Sequence, residues 1–153
     1  MKAYFYKLFK YNQWANNGLC RHLMALANEP IEVKKRMSHI VAAEEIWYGR
    51  IVPLDFQHLA VFDIQPWDIL EPRLTASAQR WLDLVENTGD FEKVINYQNL
   101  SGRAFTSTMS DIMIHITNHG TYHRGQIATL LRQNGLEPLP TDYIIYSRTS
   151  DSF

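Results

Sequence analysis

Four stretches of this chain repeat apolar residues every three or four positions, and each is bounded by helix-breaking signals, so most of the sequence can only bury its apolar surface as packed helices. The first stretch runs from about Ala3 to Leu26, with Phe5, Leu8, Trp14, Ala15, Leu19, Leu23 and Leu26 on the stripe. Asn28–Pro30 punctuates it. The second runs from about Ile31 to Val52 and carries Val33, Met37, Ile40, Val41, Ala43, Ile46, Trp47 and Ile51, with Pro53 as a stop. The third begins near Asp68, where Asp68 and Glu71 have capping-box spacing, and continues through Leu74, Ala78, Trp81, Leu82 and Val85. Its Pro72 falls in or near the first turn, where proline is tolerated. The fourth starts after Thr108 or Ser110, either of them a good N-cap, and ends at Asn134–Gly135. Its stripe is Ile112, Ile116, Ile127, Leu130 and Leu131.

Between the third and fourth helices, "VINYQNLSGRAFTSTM" is rich in β-formers around a Ser101–Gly102 turn, which predicts a short hairpin. A long aromatic loop, "LDFQHLAVFDIQPW", follows the second helix and is expected to pack over the body. The tail, "LEPLPTDYIIYSRTSDSF", is proline-broken, and it is expected to pack on the bundle and fray at its end. Without a repeat or a linker, residues 1–153 are expected to form one all-α domain: a four-helix bundle with a β-hairpin between helices 3 and 4.

Composition narrows the function. Fifteen basic and sixteen acidic side chains nearly cancel, and no basic stripe appears, which argues against a nucleic-acid partner. The single cysteine, Cys20, excludes an internal disulfide and a cysteine-rich metal cluster, and it fits a reducing compartment. No run approaches the ~20 apolar residues of a membrane span, and "MKAYFYKLFKYNQW" lacks the apolar core of a signal peptide. The expectation is a cytoplasmic protein without a membrane partner.

Half of the six histidines stand in "HITNHGTYHRGQI", at His115, His119 and His123. Residues four apart on a helix share a face, about 6 Å apart along the axis. His115–His119 and His119–His123 are therefore both possible metal-binding pairs, but His115 and His123, ~12 Å apart, cannot share one ion with His119. Ile112, Ile116, Ile127 and Leu130 direct the core face toward the second pair, and Gly120 and Gly125 clear side chains beside it. A third ligand must come from another helix, and His39 stands on an otherwise apolar face of the second, beside Ala42 and Ala43. The competing reading is that these are ordinary buried histidines bonded to carbonyls. His22 and His58 are weaker candidates.

Three blocks, "YNQWANNGL", "SHIVAAEEIWYGRI" and above all "HITNHGTYHRGQIATLLRQNG", resemble the DinB family, the DinB/YfiT-like metalloenzymes, in the family's own order. The resemblance implies a four-helix bundle that holds a divalent metal ion on three histidines. Carried across by motif, these are His39, His119 and His123. It also implies a homodimer, a small-molecule substrate, and chemistry of the kind its characterised members perform, thiol-dependent S-transfer or isomerisation. A low-molecular-weight thiol would then be a co-substrate, because no cysteine lies in the site motifs. Two stretches depart from the family: the approach "IEVKKRM" to His39 is short and charged, and the ending "TDYIIYSR" matches loosely. Both bear on substrate contacts more than on the metal.

Other residues of the motif have two readings each. His115 either lines the pocket or hydrogen-bonds across helices. Asn118 and Gln126 either orient ligand imidazoles or make interhelix contacts. Arg124 either anchors an anion or pairs with Glu44 or Glu45, and the ion pair is favoured. Tyr122 and Trp47 are expected to pack, and Trp14 to lie in the core. Neither Glu44 nor Glu45 falls one turn from His39, so no fourth ligand is evident, which favours an open site. Three imidazoles suit zinc, nickel, iron or another divalent ion equally. The reading is a metal-dependent enzyme, with S-transfer ahead of hydrolysis. The alternative is a non-catalytic, stress-induced metal- or ligand-binding protein.

Overall fold

A computed structural model describes residues 1–52, 54, 61 and 63–150. The four stripes form α1 (Lys2–Met24), α2 (Ile31–Ile51), α3 (Trp67–Asn87) and α4 (Met109–Gln133). The hairpin, β1 (Val94–Gln98) paired antiparallel with β2 (Ala104–Thr108), lies between α3 and α4 as predicted. Its turn uses Gly102 at φ 81°, and Asn99 Oδ1 accepts from the backbone N–H groups of Ser101 and Arg103. Strand β2 runs straight into α4, where Thr108 Oγ1 caps the helix by accepting from Asp111 N at 3.1 Å. Gly135, at φ 70°, ends α4.

Three local expectations need correction. No capping box forms at α3: the helix starts one residue before Asp68, behind Pro66, and Asp68 lies in its first turn. Pro72 consequently stands in the second turn, inside the helix. Trp14 is half-buried rather than core, its ring tilted against those of Tyr11 and Tyr146. The tail forms a further helix, α5 (Tyr143–Ser150), whose Tyr143 packs edge-on against Tyr11 of α1. Pro53, His58 and residues 151–153, where fraying is expected, lie outside the described residues, as does most of the long loop.

Two apolar clusters form the core. One gathers Phe5 and Phe9 of α1, Trp81 and Val85 of α3, and Ile112 and Ile116 of α4. The other gathers Leu19 and Leu23 of α1, Met37 and Ile40 of α2, Leu70 and Leu74 of α3, and Ile127 and Leu131 of α4. The order of these residues fixes the helix directions. Helices α1 and α4 run from the first cluster to the second, whereas α3 runs back, and α2 does likewise, ending with Trp47 and Ile51 on the first. Successive helices α2 and α3 are therefore parallel, and a connection between parallel neighbours must cross the length of the bundle. The described part of that crossover touches α2 at His39 and Ser38, through Val61 and Gln65.

Between the clusters every helix changes from apolar to polar at the same level. Asn12 and Asn16 interrupt the stripe of α1, Glu44 that of α2, Ser77 that of α3, and Gly120 and Arg124 that of α4, all of them buried. The bundle thus has two apolar ends and a polar belt.

Candidate metal centre

His39, His119 and His123 come together at the α2–α4 side of the belt, with one ligand-capable atom from each within 4.8 Å of the others. His119 Nε2 lies 3.2 Å from His39 Nε2 and 3.1 Å from His123 Nε2. The outward nitrogens are fixed by acceptors. His39 Nδ1 is 3.0 Å from the Val61 carbonyl oxygen on the crossover, and His123 Nδ1 is 2.8 Å from Gln126 Oε1. Each of these bonds puts the proton on Nδ1 and turns an Nε2 lone pair inward. The rings then hold at most one inward proton, that of His119 Nε2, for three converging nitrogens. A divalent ion satisfies all three. Tetrahedral zinc at 2.0–2.1 Å from nitrogen would set its ligands ~3.3 Å apart, close to the spacings found.

All three imidazoles are held below the ordinary histidine range, so they stand neutral, as metal ligands must be. Burial is the main cause for each. His119 is pushed down to about 3 by burial and then by its neighbours His123, His39 and His115. For His39 the Val61 carbonyl opposes the shift and Arg36 adds to it, and for His123 Gln126 opposes while His39 and Arg36 add. Among the described residues no fourth histidine, cysteine or carboxylate joins the cluster. Three histidines so placed can hold a metal ion.

The two other described histidines stand apart. His115, exposed on α4, lies against Trp47 at 4.8 Å between ring centres, outside the cluster. His22 Nε2 is 2.9 Å from the Glu137 carbonyl and ties α1 to the tail. Gln126 orients His123, one of its two expected roles, whereas Asn118 faces a groove of about 590 Å³ between α1, α4 and the tail.

Among the described residues Arg124 makes no direct ion pair. Its Nη1 donates to Asn12 Oδ1 at 2.8 Å and Asn16 Oδ1 at 2.7 Å, and its Nη2 to Thr121 Oγ1 and the Tyr11 hydroxyl. The same two asparagines donate through Nδ2 to Glu44 Oε1, at 2.7 and 2.9 Å, and Ser77 donates to Glu44 Oε2. Charge is thus relayed from Arg124 to Glu44 through two amides. Glu45 instead takes Arg73 and Arg80. Gly120 serves this network rather than the histidines: a Cβ there would lie 2.7 Å from Asn12 Oδ1 and 2.8 Å from Arg124 Nη1. Gly125 has open space around it. Asn12 and Asn16 were not singled out from the sequence. Their signal was two amides, four apart, at stripe positions between Phe9 and Leu19.

Residues 1–151 match the DinB family, and the chain belongs to it. It is 27 % identical over 163 residues to "Protein DinB" of Bacillus subtilis (strain 168), covering 95 % of each chain. No solved structure matches it. Among the described residues no helix is long and apolar enough to cross a membrane.

Proposed function

We propose that His39, His119 and His123 bind one divalent metal ion, leaving open positions for a small-molecule substrate, and that the protein is a metal-dependent enzyme whose reaction is thiol S-transfer. The observation that carries this is the inward convergence of three Nε2 atoms with no fourth protein ligand among the described residues. A closed structural site would need four. The ion would supply Lewis acidity, activating a thiol as thiolate and polarising an electrophile. Cys20 cannot be the nucleophile, because it is buried in the second apolar cluster and burial raises its thiol to about 11. The thiol therefore arrives as a small co-substrate. The protein works as a cytoplasmic homodimer on this reading, and a stress-induced binding protein without catalysis is its rival.

A screen of small thiols against electrophiles, with protein loaded with zinc, nickel, cobalt or iron, tests the proposal. Turnover should require both thiol and metal and vanish in His119→Ala. Tight metal binding with no thiol-dependent turnover in any combination would favour the binding protein.

A further inference from the structure

Arg36 sits one turn before His39 on α2, and residues three apart share a helix face. Its Nε is buried and has no hydrogen-bond partner. Among the described residues no carboxylate forms a salt bridge with it, although Glu45 collects two arginines and Glu29 takes Lys34. Its field nonetheless reaches ligand candidates on both helices, lowering His39 and His123 after larger effects at each. Arg50, also on α2, is engaged elsewhere. Its guanidinium lies over Trp47 at 4.1 Å and Tyr97 at 5.0 Å, and its field falls on His115 outside the cluster. A half-buried guanidinium without a carboxylate partner, beside neutral imidazoles, suits an anionic group of a ligand held at the histidines.

Resting on the metal-site reading above, we infer that Arg36 is the anion anchor of that site, selecting ligands that carry a carboxylate a few bonds from the atom that meets the metal. A thiol bearing a carboxylate is the simplest member of the class. On a loaded site its binding would form a sulfur–metal bond in place of a water–metal bond and would release the thiol proton to the buffer.

The test uses the full chain loaded with cobalt(II), read through the cobalt visible bands and the sulfur-to-cobalt charge-transfer band. Titrations compare 3-mercaptopropionate with 2-mercaptoethanol, which lacks the carboxylate. Wild type should prefer the acid by roughly tenfold to a hundredfold, the worth of a charge-assisted hydrogen bond. Arg36→Gln should lose that preference while keeping the cobalt bands, and Arg36→Lys should keep part of it. Equal affinity for the two thiols in wild type, or a preference that survives in Arg36→Gln, would overturn the inference and leave the metal site standing. Cobalt bands that are missing in wild type, or unchanged in His119→Ala, would overturn the metal-site reading and this inference with it.

Discussion

Two groups of buried polar side chains share the belt of this bundle, and they differ in how completely each satisfies itself. Toward α1, Arg124, Asn12, Asn16, Ser77 and Glu44 form a network in which the asparagine amides, the Ser77 hydroxyl and both Arg124 Nη atoms meet acceptors, while Arg124 Nε finds none. Toward the crossover, His39 and His123 use their outer nitrogens on acceptors, and all three histidines turn Nε2 toward one another. Buried polar groups that find nearly all their partners inside the protein hold a fold together. Groups that are oriented with care yet leave lone pairs facing lone pairs are built for something that is added. The first cluster therefore belongs to the architecture and the second to function, although His123 and Arg124 are neighbours in sequence.

Breaking the network should cost the most. Arg124→Met leaves Glu44 and two amide oxygens buried without their cation, and denaturation in urea should show a loss of about 3–5 kcal/mol. Gly120→Ala presses a methyl group against Asn12 Oδ1 and Arg124 Nη1, and should cost about 1–3 kcal/mol, while the metal stoichiometry persists because the strain falls on the α1 side. If Gly120→Ala spared stability and abolished metal binding, the division between the two clusters would be wrong.

The smallest effect is a pH dependence. Glu44 is held above its ordinary carboxylate value because burial outweighs its hydrogen bonds to Ser77 and Asn12 and the pull of Arg124. A raised native value favours the folded state below the unfolded value near 4.5, and that contribution is lost as pH rises through the native one. Glu44→Gln keeps an acceptor for the asparagines and removes the titration. Its stability relative to wild type, followed by urea midpoints, should improve as pH rises from about 4.5 to 7. A difference that stays flat across that range would mean that burial does not set the state of Glu44.

The sequence showed some of this plainly and some not at all, for physical reasons. The four helices were legible because their apolar periods are long, and the hairpin because Ser101–Gly102 permits a left-handed turn. His39 stood out as a polar residue on an apolar face, which local inspection can detect. Gly120 was misassigned to the histidine pair because its real neighbour, Asn12, is distant in sequence. The relay between Arg124 and Glu44 was hidden for the same reason: it passes through α1, and spacing along α4 carries no trace of it. Helix α5 was missed because Pro138 and Pro140 just before it signal irregular chain, whereas Tyr143 and Tyr146 find an aromatic surface on Tyr11 and Trp14. The α3 start was displaced because Pro66 supplies the entry without a side-chain cap.

The most direct test is elemental analysis of protein purified without a histidine tag, for wild type and His119→Ala side by side. Wild type should carry close to one divalent ion per chain and the variant only background, with both folded. Equal metal in the two, or none in wild type after reconstitution with zinc, nickel and iron, would contradict the assignment of these three imidazoles as a metal centre.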